Sequence, residues 1–334
     1  MKICVVGAGG IGGLLAARLA QHGEEVTVIA RGPHLAAIRA NGLKLIEEDG
    51  TENVSRIAAT DKISEAGEQD LVILGIKAHQ VAAVVRDLPA MYGRDTAVLT
   101  AQNGIPWWYF LRVSGPHEGR RLESVDPGGI IADNLPAERV LGSVVYPAAE
   151  ITEPGVIKHI EGNRFSIAEI DNSKSDRIVR ISETLQRAGF KAPVAGDIRA
   201  EIWTKLWGNL SFNPISALTH ATLEDICKYQ PTRDAAARMM REAQSVGEAL
   251  GIRFRIPLEK RIAGAEAVGA HKTSMLQDIE AGRGIEADAL IGSVIELGRI
   301  ANVPTPQIET VYACVTLLSS TLASQGGRLK IEKY

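Results

Sequence analysis

The chain has 334 residues, 45% of them hydrophobic and 23% charged, with a formal net charge of −3. That is enough apolar material for two domains with separate cores, and the absence of a basic block argues against a nucleic-acid partner. Cys4, Cys227 and Cys314 lie far apart in apolar segments, so neither a disulfide framework nor a C-x-x-C metal site is expected. No cleavable leader precedes the first apolar run and no run approaches the ~20 residues of a membrane span. A cytoplasmic chain without a membrane partner is the resulting expectation.

Lys2–Val6 (KICVV) reads as a short buried strand that runs into Gly7-Ala8-Gly9-Gly10-Ile11-Gly12, and LLAARLA follows at helical spacing. This is G-x-G-x-x-G between a strand and a helix, the context a dinucleotide site requires. Gly7 would allow the tight turn, Gly9 would let backbone approach a pyrophosphate, and Gly12 would let helix and strand pack closely, with helix N–H groups facing the phosphates. A second strand over residues 25–30 (EVTVIA) closes on Arg31. A carboxylate there would accept hydrogen bonds from a ribose diol, whereas a guanidinium accommodates a 2′-phosphate, so NADP(H) is favoured over NAD(H).

Strand and helix patterns then alternate: a strand at residues 70–76, a helix from about His79, and a strand at 97–101. Lys77 and Asn103 follow directly on two of these strands, at the edge that carries ligands in an open parallel sheet. Short strands are expected at 140–147, 155–161 and 164–170, then a helix near 175–188 and a strand near 191–194. From Asp197 onward the pattern is entirely helical. The fold class is therefore α/β: a Rossmann-type dinucleotide-binding domain at residues 1–196, followed by an all-helical domain at residues 197–334 that would hold substrate and catalytic groups.

The segment from Asp197 to Thr219 (DIRAEIWTKLWGNLSFNPISALT) places Lys205, Asn209 and Asn213 at four-residue steps, so their side chains share a helix face. With Trp203, Leu206, Trp207 and Leu210 around them, these groups would be costly to bury unless something polar, such as a substrate, occupied that face. A half-exposed amphipathic helix with solvated polar groups is the alternative. Asn213 precedes Pro214, which predicts a kink or stop. Residues 286–301, placed at 100° per residue, put Ala287, Leu290, Ile291, Val294, Leu297 and Gly298 on one face with Glu286 at its edge. That carboxylate could snorkel, cap the helix or serve the ammonium of Lys205.

RAEIWTKLWGNLSFNP, SMLQDIEAGRGIEADALIG, GAGGIG, IKA and QNG together resemble the ketopantoate reductase family over nearly the whole chain. The resemblance implies a Rossmann domain followed by a helical domain, with the active site in the cleft, reducing the 2-oxo acid 2-dehydropantoate to pantoate with NADPH. It implies that Gly7, Ala8, Gly9, Gly10, Ile11, Gly12 and Arg31 hold the cofactor phosphates, with Lys77, Asn103, the backbone near Ala148 and Glu286 completing that site. Lys205 would be the catalytic lysine, assisted by Glu286, and Asn209, Asn213 and Ser274 would bind the substrate. Homodimerisation is left open.

Leu223 and His271 stand where the family pattern leads one to expect substrate-binding asparagines. The segment from Ile105 to Arg139, with Trp107-Trp108-Tyr109 and DPGG, is longer than usual, and its Trp107 to Gly129 part is expected to form a cover over a pocket wall near Leu223 and His271. These departures leave two alternatives: a related enzyme for another branched or polyhydroxylated oxo acid, or a dinucleotide-binding sensor without catalysis, against which Lys205 and Glu286 argue.

Overall fold

The computed structural model describes residues 1–331. They form two compact units, one from Met1–Gln102 with Trp107–Ile198 and one from Asn103–Pro106 with the chain from Arg199 onward.

In the first unit the elements run β1 (Lys2–Val6), α1 (Gly10–Gln21), β2 (Glu25–Ile29), α2 (Gly32–Asn41), β3 (Leu43–Ile46), β4 (Glu52–Ser55), β5 (Ala58–Thr60), β6 (Gln69–Leu74), β7 (Tyr92–Thr100), α3 (Ile130–Asn134), β8 (Val140–Val145), β9 (Ala148–Glu153), β10 (Val156–Glu161), β11 (Phe165–Glu169) and α4 (Asp176–Arg187). The main sheet has seven strands in the order β11-β8-β7-β6-β1-β2-β5. All neighbours in it are parallel except β11 against β8. Ile3, Cys4, Val5, Leu71, Val72, Ile73, Leu74, Val98 and Leu99 are fully buried, the continuous apolar character of strands covered on both faces. Because the chain turns outward to β2 on one side of β1 and to β6 on the other, the ends of β1 and β6 form the topological switch point where ligands enter such sheets.

A second sheet, β4-β3-β10-β9, packs on α1. Ile157 of β10 lies under Gly13, where an added Cβ would come within 2.6 Å of it. Arg18 on α1 ties the two layers: its Nε donates to Glu47 at 3.0 Å, and its guanidinium lies 3.1 Å from His159 Nδ1 and 5.1 Å from the Phe190 ring.

Two expectations for this unit are corrected. The helix expected from His79 is a 3₁₀ turn at Ala78–Ala83, followed by another at Leu88–Met91. Val81, Val84 and Val85 crowd helical turns and Pro89 removes a donor, so the stretch does not extend. The strand expected near residues 191–194 is reduced to isolated bridges, Arg164 with Lys191 and Ile167 with Val194, because Pro193 cannot donate to a ladder. In the segment expected as a cover, Trp107, Trp108, Tyr109 and Phe110 are buried within the fold. Trp108 Nε1 donates to Thr100 Oγ1 at 3.0 Å, and its ring fills the space that a side chain at position 142 would need.

The second unit comprises α5 (Ile198–Thr219), whose first residue belongs to the other unit, α6 (Leu223–Lys228), α7 (Gln230–Ala249), α8 (Leu258–Ala267), α9 (Ser274–Glu280), a π turn at Asp288–Gly292, α10 (Ser293–Ala301) and α11 (Pro306–Ser324). Trp203 and Trp207 of α5 clasp Phe254, with ring centroids 6.1 and 4.8 Å away, and Trp207 Nε1 donates to the Met240 carbonyl at 2.6 Å. The expected stop at Asn213-Pro214 is absent: α5 continues through Pro214 to Thr219. Ile215 and Ala217 are buried beyond it, and that packing outweighs the roughly 3 kcal/mol associated with an interior proline. Among the described residues no helix is long and apolar enough to cross a membrane.

Candidate active site

In the first unit, the turn between β1 and α1 is shaped by three glycines. Gly7 has φ +97°, and its N–H donates to the Ile29 carbonyl at 3.0 Å, which fastens the turn to the end of β2. A Cβ at Gly12 would sit 1.9 Å from the Gly7 carbonyl oxygen, so helix and strand approach as closely as backbone allows. Gly9 differs from both: a Cβ there would meet no described atom within 4 Å. Packing within the chain gives no reason for glycine at that position, whereas a ligand lying against the backbone does. Gly9 is also the N-cap of α1, with no side-chain cap and no acidic residue in the first turn, so the N–H groups at this helix end, including those of Gly10 and Ile11, suit an anion. The turn fits a pyrophosphate.

Around it, Ala8 is buried and Arg31 is exposed as the N-cap of α2. Lys77 follows β6 at the N-cap of the 3₁₀ turn, its N–H donating to Gln80 Oε1 at 3.0 Å. Ala148 opens β9, and the adjacent Ala149 carbonyl would lie only 2.0 Å from a Cβ at Gly10, so this strand abuts the glycine turn. His34, which the sequence reading missed, links these parts. Its Nε2 lies 2.8 Å from the Ala8 carbonyl, and the Gly155 N–H donates to its Nδ1 at 3.0 Å. Those partners require a neutral ring with the proton on Nε2, and burial lowers its pKa accordingly. No sequence motif marks this role.

In the second unit, Lys205 Nζ donates to Asn103 Oδ1 at 2.5 Å. Burial lowers the lysine pKa from 10.5 to about 8, against the opposing attraction of the Glu286 carboxylate. Three residues from separate stretches of sequence therefore act on one proton site. Asn209 lies one turn along α5 from Lys205 and is half-buried. Asn213 is 5% exposed, and its Nδ2 reaches Ser274 Oγ at 3.5 Å, the outer limit of a hydrogen bond. Ser274 itself is exposed at the start of α9. Leu223 and His271 are neighbours: the Leu223 N–H donates to the His271 carbonyl at 3.0 Å. The two departures from the family pattern thus form one patch. Among the described residues there is no cluster of metal-ligating side chains.

This combination of a doubly wound sheet, an anion-ready glycine turn and a helical unit with a perturbed lysine is that of a nicotinamide-dinucleotide oxidoreductase. Residues 3–172 match the family model described as ketopantoate reductase PanE/ApbA, and residues 197–319 match that for its C-terminal part. A 2-dehydropantoate 2-reductase from Mesorhizobium japonicum is 53% identical over 96% of this chain and 98% of its own length. One from Pyrococcus horikoshii is 30% identical over 94% of this chain and 96% of its own. A crystal structure from Ralstonia solanacearum, assigned as a ketopantoate reductase, superposes with a TM-score of 0.92 at 40% identity, covering 96% of this chain and 98% of that one. The chain belongs to the ketopantoate reductase family.

The lysine environment makes a stability prediction. A lysine whose pKa falls from 10.5 to about 8 on folding opposes folding by roughly 3 kcal/mol wherever both states are protonated, that is, below about pH 8. Between pH 8 and 10.5 the folded state has already lost the proton, so the opposition fades as pH rises. Lys205→Met is therefore expected to be more stable than wild type at pH 7 by about 2–3 kcal/mol, with the difference narrowing by pH 9.5. Urea unfolding at the two pH values checks this, and a variant less stable than wild type at pH 7 contradicts it.

Proposed function

We propose that the chain is an NADPH-dependent 2-oxo acid reductase whose preferred substrate is 2-dehydropantoate. The single observation that carries this reading is the ammonium of Lys205, held by Asn103 and Glu286 near a pKa of about 8. On this reading residues 1–196 bind the cofactor and residues 197–334 bind the substrate. Bound nicotinamide supplies a hydride to the ketone carbon. Negative charge then grows on the ketone oxygen, and Lys205 stabilises it and donates a proton to it, leaving the lysine neutral and the product a 2-hydroxy acid. A pKa close to the working pH lets the group carry the proton yet part with it, which a lysine at 10.5 does less readily. Glu286 and Asn103 hold the charged form. Asn209, Asn213 and Ser274 offer donors and acceptors to the substrate's hydroxyl and carboxylate groups, and the carboxamide of Asn213 already faces Ser274.

Arg31 supports NADPH over NADH. It closes the β2 edge as an exposed guanidinium, where an adenosine 2′-phosphate would be met by positive charge. Arg31→Glu should weaken NADPH far more than NADH, since a carboxylate repels the phosphate and tolerates a free ribose diol. Fluorescence titration of both cofactors decides the point, and an equal loss for both removes the basis for NADPH.

The Leu223–His271 patch favours a second reading of the same chemistry, with another branched or polyhydroxylated oxo acid as substrate. Leu223 offers no hydrogen bond, so a substrate hydroxyl facing it would lose roughly 1–3 kcal/mol, about ten- to hundred-fold in affinity. NADPH oxidation with 2-dehydropantoate beside a panel of 2-oxo acids tests both readings. The expected result is that 2-dehydropantoate is turned over and that Leu223→Asn raises its kcat/KM. Efficient turnover by wild type, with no panel member within an order of magnitude and no gain from the asparagine, removes the second reading; no turnover of 2-dehydropantoate removes the first.

A further inference from the structure

Asn103 reaches Lys205 from a short excursion, Asn103–Pro106, that belongs to the helical unit although the chain on either side of it does not. That excursion needs an anchor, and the π turn at Asp288–Gly292 supplies one. The Ser293 N–H bonds to the Asp288 carbonyl, five residues back, which leaves the Ala289 carbonyl available to donors other than that N–H. It accepts the Ile105 N–H at 2.9 Å and Ser293 Oγ at 2.8 Å. Gly104 lies directly against this carbonyl: a Cβ there would sit 2.2 Å from the Ala289 oxygen and 2.5 Å from its carbon, and the residue has φ +89°. Only glycine meets both requirements. The same turn holds Glu286, whose carbonyl accepts the Leu290 N–H at 3.1 Å.

We propose that Gly104 and the π turn form a latch that positions Asn103 and Glu286 together against Lys205. The latch sets the distance between the Asn103 carboxamide and the ammonium, and it uses the one carbonyl that a π register exposes and a regular α-helix would keep for its own ladder. Gly104 and Ala289 are positioning residues, since neither side chain touches the reacting atoms. The role deepens the reading of Lys205 as proton donor and rests on it.

The test uses two variants that open the latch differently. Gly104→Ala inserts a Cβ against the Ala289 carbonyl, and Ile105→Pro removes the N–H that the carbonyl accepts. Charged groups facing this part of α5 among the described residues include Glu286 and, from α8, Arg261, whose guanidinium lies against Gly208; neither variant replaces them. Loss of the Asn103 acceptor removes a hydrogen bond to the charged lysine, so the charged form becomes less favoured. Both variants should lose about a hundred-fold in kcat while NADPH affinity stays within a few-fold of wild type, and the alkaline limb of kcat should move to lower pH. Independently of any substrate, the pH at which Lys205 becomes reactive toward an amine-selective acylating reagent, read by peptide mass spectrometry, should move down in both. A reactivity profile that stays at the wild-type pH or moves up, with only thermal stability reduced, overturns the latch. Because the labelling measurement uses no oxo acid, it judges the latch even where the substrate assignment fails.

Discussion

A half-buried ammonium beside a carboxylate and a carboxamide is the constraint around which the helical unit is arranged. Burial alone would drive Lys205 toward the neutral amine, and Glu286 with Asn103 alone would hold it as a conventional ammonium. The balance leaves the group near pH 8. That balance depends on packing as much as on charge, because Leu206 and Trp207 beside the lysine are each 2% exposed, and Trp207 is locked by Phe254 and the Met240 carbonyl. A looser core would admit water and return the lysine to its ordinary range. The same opposition of desolvation and pairing is how sites for proton transfer are generally set at neutral pH.

The glycine turn of the first unit and the lysine environment of the second are built by different means. Around the glycine turn the recognition surface is backbone, with Gly7 giving the turn its positive φ, Gly12 its closeness to β1 and Gly9 an open face. His34 and the start of β9 then brace the turn from outside through main-chain groups. In the helical unit the proposed recognition groups are side chains, and Lys205 and Asn213 each meet a residue distant in sequence, Asn103 and Ser274. Backbone sites tolerate change in the surrounding side chains and so recur with the same glycine spacing. Side-chain sites can be retuned one residue at a time, which suits substrate choice.

This difference explains what could be read from the sequence. The parallel core strands, the glycine turn, Arg31 at the strand end and the shared face of Lys205, Asn209 and Asn213 are local patterns of spacing, and each was legible. The second sheet was only partly so: β3 and β4 are short, and β4 is exposed at three of its four positions, so no alternation of apolar residues marks it. The valine-rich stretch after Lys77 carries a helical pattern that its β-branched side chains and Pro89 defeat. The aromatic run at Trp107–Phe110 reads as part of a longer segment with no stated partner for its rings. Its indole instead finds Thr100 and the space above Gly142, partners that only the folded sheet brings near. Gly104 against Ala289 and His34 against Ala8 join residues far apart in the chain, and no spacing rule foresees them.

On the proposed reading, Leu223 and His271 would let the fold change its substrate without losing its reaction. Their backbones are joined, Leu223 N–H to His271 carbonyl, and Glu224 N–H donates to the Gly269 carbonyl at 3.2 Å, so the start of α6 is laced to the segment that leads into α9. The side chains at 223 and 271 are therefore displayed on a fixed main-chain frame, and replacing them leaves that frame intact. A change of polarity at the patch can then alter which hydroxyl or alkyl group is accepted while the proton donor keeps its surroundings. On the proposed reading, specificity and proton donation rest on different backbone anchors: the α6–α9 lacing for one, the π turn and α5 for the other.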